Sequence, residues 1–309
     1  MKFIGHNKIR ESFDKLIEKC ALSHAHLIIG EDGIGKSKIA QIFALSILGK
    51  SQEREYADIV NYRVNEKSIG IDEVRGIIQE IYKKPFEGDK KVIIIHKGNK
   101  LTIQAQNALL KTIEEPPKGV YIIILCESGD LILDTIKSRC QIHKLSPLNI
   151  EDMREYINLY FKEFDEKMIN SALAYAGGVP GKVEDFFNNK NLEILRGIIC
   201  NLLVDINKGD KEAVITYEKK LASFKDNWEE ILNILLSFIR DISVYKEVEN
   251  KELIINGDKL HEIDNISREM TFRKLKGMVK VLDRTRSKLN SNTNFLLTLN
   301  VMIIDLMEV

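Results

Sequence analysis

The sequence predicts an α/β fold: an N-terminal domain built on a mostly parallel sheet, followed by a small helical domain and a C-terminal all-α domain. Three observations predict it. The apolar runs 26–29, Val92–Ile95 and Val120–Leu125 are short, mostly β-branched and bounded by charged or turn residues, as expected of parallel strands buried on both faces. Helical stretches, Ile39–Leu48 and Gln104–Glu115, alternate with them, which is the signature of a sheet joined by crossovers. After Pro147 the strand-like pattern stops and helical periodicity takes over. The expected domains are 1–147, 148–188 and 189–309.

Each element has its own justification. Ile9, Phe13, Leu16 and Ile17 fall on one face of an amphipathic helix over residues 7–20. The first strand runs straight into Gly30 and a glycine-rich turn, and a helix rich in Ala, Ile and Leu follows. The helix over Gln104–Glu115 must stop at Pro116-Pro117, because a residue before proline is driven out of the helical region. Gly177-Gly178-Val179-Pro180-Gly181 breaks one helix before Lys182 starts another. Trp228, Ile231, Leu232, Leu235, Ile239 and Ile242 form an apolar stripe at helical spacing. Phe295–Leu306 is apolar almost all round, so this helix is expected to be buried in a bundle or an assembly.

Composition excludes several classes. With 44% hydrophobic and 30% charged residues in 309, the chain has enough apolar surface for a core and is not a disordered protein. Lys plus Arg and Asp plus Glu both number 46, so no global basic field exists to hold nucleic acid by phosphate neutralisation alone. The uncharged run Leu289–Ile304 is 16 residues long and carries Asn290, Asn292, Asn294 and Asn300, short of the ~20 apolar residues a bilayer span needs. No membrane segment is expected. The first residues lack the apolar core of a secretory signal, which makes the cytoplasm the expected compartment. Cys20, Cys126, Cys140 and Cys200 show no metal-ligand spacing and read as free thiols, so no zinc or other metal site is expected.

The chemistry is carried by Gly30-Glu31-Asp32-Gly33-Ile34-Gly35-Lys36-Ser37, a full match to G-x-x-x-x-G-K-[ST] placed after a strand and before a helix. In such a loop the backbone N–H groups curl around phosphates, the helix N-terminus favours negative charge, Lys36 reaches the outer phosphates and Ser37 can ligate Mg²⁺. The nucleotide-binding set is therefore Gly30, Gly33, Ile34, Gly35, Lys36 and Ser37, for ATP or ADP, with or without Mg²⁺. Hydrolysis in this class also needs an Asp at the end of a neighbouring strand. The strand Lys91–Ile95 is followed instead by His96-Lys97-Gly98-Asn99. A lysine there repels a cation, and imidazole is a poor partner for a hard ion that prefers oxygen. Nucleotide binding with little or no turnover is expected, unless Glu127 or Asp130 supplies the missing acid.

Several further segments carry a resemblance. They are Ser23-His24-Ala25-His26-Leu27, Lys67-Ser68-Ile69-Gly70-Ile71-Asp72-Glu73-Val74-Arg75, and Gln106-Asn107-Ala108-Leu109-Leu110-Lys111-Thr112-Ile113-Glu114-Glu115-Pro116-Pro117, followed by Ser138-Arg139-Cys140. Together with the 177–182 turn they resemble the clamp-loader branch of the AAA+ ATPases, over nearly all of residues 1–187. Residues 289–294 and the last helix resemble its collar domain more loosely.

The resemblance implies an AAA+ nucleotide-binding-type domain, a helical lid and a helical collar. It implies partners as well: ATPase subunits of tau or gamma type and a delta subunit in a hetero-oligomeric ring, with a sliding clamp and primed DNA engaged through the assembly. It gives Arg139 the role of an arginine finger projecting into a neighbouring subunit's ATP site, a job that suits its planar, always-charged fork. It also gives Lys182 the place of a lid residue that touches nucleotide.

Two departures point away from turnover and metal. The segment Cys126-Glu127-Ser128 stands where the family's ATPase subunits usually have Thr or Asn. Residues 48–65, where many relatives insert a four-cysteine zinc module, hold no cysteine and only a charged link through Glu53, Arg54 and Glu55. Two other readings stay open, a self-sufficient motor subunit and a nucleic-acid-binding module with a vestigial loop. The second would use Arg268, Arg273, Lys274, Lys276, Lys280, Arg284, Arg286 and Lys288, a cluster that otherwise reads as a solvated helix face.

Overall fold

Alternation of side chains along the strands builds the N-terminal unit. The computed structural model describes residues 3–52, 54–63, 68–210, 212–291 and 293–309, apart from the side chain of Glu252. Glu53 of the charged link, Lys67 of the resembling segment and Asn292 of the C-terminal run lie outside the described residues. Among those residues, the strands are β1 (Ala25–Ile29), β2 (Ile59–Tyr62), β3 (Lys91–Ile95), β4 (Val120–Cys126) and β5 (Gln141–Lys144). They form one sheet in the order β2-β3-β4-β1-β5 with every pair parallel.

Ile28, Val92, Ile94, Ile123 and Leu125 pack toward Phe13 of helix α1 (Asn7–Glu18) and Ile39 and Phe43 of α2 (Lys36–Leu48). Leu27, Ile93, Ile95, Ile122 and Ile124 pack on the other face, toward α3 (Ile71–Ile81) and α4 (Ile103–Glu114). The Phe13 and Phe43 rings stack 3.5 Å apart between centroids. Period-two burial on both faces is what makes the three central strands read as unbroken apolar runs. The edge strands β2 and β5 are four residues long and partly exposed, which is why their sequences carry no such run.

Helix α4 begins where Thr102 caps it, its Oγ1 accepting the Ala105 N–H at 3.2 Å, and it ends just before the two prolines. Short α5 (Asp134–Lys137) follows β4, and α6 (Ile150–Tyr160) follows β5. The chain then divides into two compact units. The first comprises Met1–Tyr156 with Gly178–Gly181, and the second Ile157–Gly177 with Lys182–Val309.

The second unit is helical wherever it is described. It holds α7 (Glu166–Ala176), most of α8 (Pro180–Asn188), α9 (Lys190–Lys208), α10 (Ala213–Leu221), α11 (Trp228–Val248), α12 (Leu260–Glu269), α13 (Phe272–Asn290) and α14 (Phe295–Glu308). Gly177 ends α7 in the left-handed region, and Pro180, two residues before the expected Lys182, opens α8, as suits its fixed φ. The expected α11 stripe is in place, with Ile231, Leu232, Leu235, Ile239 and Ile242 buried and Trp228 packed against them.

Helix α14, expected to be buried in a bundle or an assembly, is buried along one side within this chain. Phe295, Leu299, Met302, Ile303 and Leu306 enter the core, while Leu296, Leu297 and Ile304 stay exposed. The unit also buries a polar junction. Arg196 donates to Asp258 at 2.6 Å and to Asn256 at 3.0 Å, while Asp241 accepts the backbone N–H groups of Ile255 and Asn256.

Candidate functional site

The glycine-rich turn leaves β1 between two fixed points. The Gly30 N–H donates to the Cys126 carbonyl at 3.1 Å, and Ile34 is buried beneath the loop. Gly33 and Gly35 have φ of +79° and +104°, and α2 starts immediately afterwards at Lys36 with no side chain capping it. Its first N–H groups have no acceptor inside the helix, the arrangement that makes a helix N-terminus suited to an anion. Lys36 closes the turn, its Nζ donating to the Gly30 carbonyl at 2.8 Å and the Glu31 carbonyl at 2.9 Å, with Asp32 at 3.8 Å. Burial lowers the Lys36 pKa, opposed by the charges of Asp32 and Glu127. Gly30, Gly33, Ile34, Gly35, Lys36 and Ser37 thus lie in one continuous segment that runs from the end of β1 into the start of α2.

The apex of that loop touches backbone. The Gly181 N–H donates to the Gly33 carbonyl at 2.9 Å, and a Cβ on Gly181 would lie 2.6 Å from the Gly33 Cα. Neither residue can carry a side chain without parting the two segments. The partners come from the turn 177–181, whose Gly178 carbonyl accepts the Leu148 N–H at 2.8 Å. Lys182, the next residue, belongs to the second compact unit.

Beside the loop, the end of β3 presents His96 to Ser37. The ring Nε2 lies 2.9 Å from Asn61 Oδ1, which can only accept, so Nε2 carries the proton. Nδ1 then accepts from the Ser37 hydroxyl at 3.3 Å. Burial, with the Arg63 charge adding to it, pushes the His96 pKa down to about 4, so the ring is neutral near pH 7. It is His96, and not Lys97, that occupies the place of a metal-holding carboxylate. Lys97 is exposed in the left-handed region. The residues present do not fit Mg²⁺, which takes oxygen ligands in near-octahedral geometry. Glu127 accepts from Asn99 Nδ2 at 3.3 Å, and Asp130 is bound up in its own turn with Ser128. Among the described residues no group of three or more His, Cys, Asp or Glu could hold a metal ion, and no helix is long and apolar enough to cross a membrane.

Arg139 sits apart from the loop, just after α5, and its exposed guanidinium is tethered on one side. Nη1 donates to the Thr135 carbonyl at 3.0 Å and Nη2 lies 3.3 Å from Glu114 Oε1. Its platform is built by Gln106, which is buried. Gln106 Nε2 donates to the Leu101 and Leu131 carbonyls, both at 3.1 Å, and Oε1 accepts the Leu133 N–H at 2.8 Å, fixing the segment that leads into α5. His24 holds the far end of α4, donating to the Ile113 carbonyl at 2.7 Å.

Comparison with known proteins identifies the lineage. Residues 5–149 match the family model described as DNA polymerase III, delta subunit, and residues 190–308 match the model of the delta subunit's C-terminal region. The chain belongs to the DNA polymerase III clamp-loader family.

Relatives within the family carry more than one subunit name. The chain is 25% identical to DNA polymerase III subunit delta' of Bacillus subtilis, over 90% of this chain and 89% of the relative. It is equally 25% identical to subunit gamma of Buchnera aphidicola, over 95% and 91%. Among solved structures, a gamma subunit-related protein of Thermotoga maritima shares the fold, with a TM-score of 0.56, 18% identity and coverage of 96% and 98%.

Sequence reasoning missed Asn61, and it named Glu114 and Gly181 only as members of longer segments. Asn61 lies on an edge strand, and Glu114 and Gly181 act only through residues brought close by the fold. The one available signal was the absence of a Cβ at Gly181, inside a turn already rich in glycine.

Proposed function

We propose that this clamp-loader-family chain is a delta-prime-type subunit that serves as a scaffold in loading a sliding clamp onto primed DNA in the cytoplasm. Residues 148–188 act as its lid and 189–309 as its collar, assembling with tau or gamma ATPase subunits and a delta subunit. Arg139 completes the ATP site of a neighbouring motor subunit, and the chain's own loop turns nucleotide over poorly or not at all. The observation that carries this reading is the Asn61–His96–Ser37 chain, which puts a neutral ring where a motor needs a carboxylate. The exposed, one-sided tether of Arg139 supports the finger, because a residue acting in trans must stand on the surface.

The test is the ATPase of the reconstituted assembly. Arg139→Ala should lower it by at least ~10²-fold, given the ~10³ to 10⁵ that fingers supply, while assembly is retained. An unchanged rate would remove the finger from the reading. The intact loop and the gamma relative favour a second reading, a self-sufficient motor. Sustained phosphate release by the purified chain, abolished by Lys36→Ala, would establish that one instead.

A further inference from the structure

We infer that the loop 30–37 is a site for a metal-free nucleoside diphosphate, one whose affinity Mg²⁺ does not raise. The inference rests on the reading that this loop is no turnover site, and it names the ligand the loop takes in that role.

The anion-binding half of the site is complete. Gly33 and Gly35 hold the positive φ that the cradle needs, and the N-terminus of α2 is uncapped by any side chain. Lys36 is poised across the turn on two carbonyls that a phosphate oxygen can replace as its partners. The cation-binding half is absent. A P-loop serine ordinarily shares the metal with an acid from the neighbouring strand. Here that strand offers an imidazole, whose proton is committed to Asn61 and whose lone pair faces the Ser37 hydroxyl. The group that meets Ser37 therefore carries no negative charge, and Arg63 places a positive one close enough to act on the ring. A dication brought to this point meets one hydroxyl and one nitrogen, both neutral.

Without a metal bridging the outer phosphates, Lys36 and the helix N-terminus are the charges left to neutralise them. The shorter, less charged chain of a diphosphate suits that supply better than a triphosphate does.

The experiment measures binding of fluorescently labelled ADP to the full chain in 5-fold steps of free Mg²⁺ and in chelator. The wild type should bind ADP in chelator, and Mg²⁺ should leave that affinity unchanged within about 3-fold or weaken it. Lys36→Ala should lose at least about 10-fold. His96→Asp should make Mg²⁺ tighten binding by at least about 10-fold, and His96→Asn, similar in shape to Asp but uncharged, should not. A thermal melt of each variant separates a lost site from a lost fold.

Tightening of wild-type binding by Mg²⁺ of about 10-fold or more, or no ADP binding under any condition, would overturn the inference. So would a folded His96→Asp variant indifferent to Mg²⁺. None of these readings involves Arg139, whose failure would be read separately, in the hydrolysis rate of the assembled complex.

Discussion

Glu114 holds Arg139 by a single contact between exposed groups, Oε1 to Nη2 at 3.3 Å, so the guanidinium is oriented but not buried. The two residues come from segments 25 positions apart, the end of α4 and the turn after α5. A contact of this kind steers a side chain without contributing much to folding.

Glu114→Gln should therefore leave stability within about 0.5 kcal/mol of wild type, since exposed ion pairs are worth little. It should lower the ATPase of the assembled complex by roughly 3- to 10-fold, well short of the Arg139→Ala effect, because the charge that orients Nη2 is lost while the Thr135 carbonyl still holds Nη1. Parallel urea melts and steady-state hydrolysis separate the two consequences.

Gln106 should behave in the opposite way. Replacing it with Leu leaves the buried Leu101 carbonyl and the partly buried Leu131 carbonyl and Leu133 N–H without their partner. An unsatisfied buried group costs about 1–3 kcal/mol, so a loss of at least ~2 kcal/mol is expected in the urea midpoint. Finger function should fall with it, since the segment leading to Arg139 is what Gln106 fixes.

Acid sensitivity follows from buried histidines. His26 Nδ1 lies 3.1 Å from His143 Nε2, and burial lowers these pKa values from 6.5 to about 3 and about 4, the neighbouring ring adding to the effect at His26. The unfolded chain takes up protons below pH ~6.5 where the folded chain does not, so stability is fully present above that pH and falls as pH drops toward the folded values. Each group contributes at most ~1.4 kcal/mol per pH unit in that window. Melting temperature should fall between pH 7 and pH 5, and His143→Gln should shrink the fall by about a third or more.

The loop apex gives a fourth expectation. Gly181→Ala places a methyl 2.6 Å from the Gly33 Cα, backbone against backbone. Overpacking of this kind costs about 1–3 kcal/mol. ADP affinity should drop as the cradle is displaced, whereas Gly197→Ala, where an added Cβ meets nothing within 4 Å, should bind as wild type does.

Much of this was legible in the residues themselves. The central strands announce themselves because both faces are buried, and the phosphate loop does so because few sequences besides glycine-rich ones can make its turns. The missing acid after β3 was equally readable. Which residue fills its place was not, since His96 and Lys97 are neighbours and only the direction of the last strand residue decides between them. The edge strands β2 and β5 escaped because partial exposure leaves polar residues in them. Helix α14 was legible as apolar almost all round, but hydropathy counts apolar side chains without saying which of them, here Leu296, Leu297 and Ile304, stay exposed in the single chain. Glu114 and Asn61 act through contacts with residues far away in sequence, which no local pattern encodes.

The strand order has a consequence for how the protein is made. β1, which carries the phosphate loop, is flanked by β4 and β5, both much later in the chain. A growing polypeptide thus emerges with its glycine-rich segment long before the strands that brace it, and must wait for roughly another hundred residues of synthesis, at about 5–20 per second, before that segment has walls. The glycine-rich loop is among the earliest parts of the message to be translated and among the last of its unit to take shape.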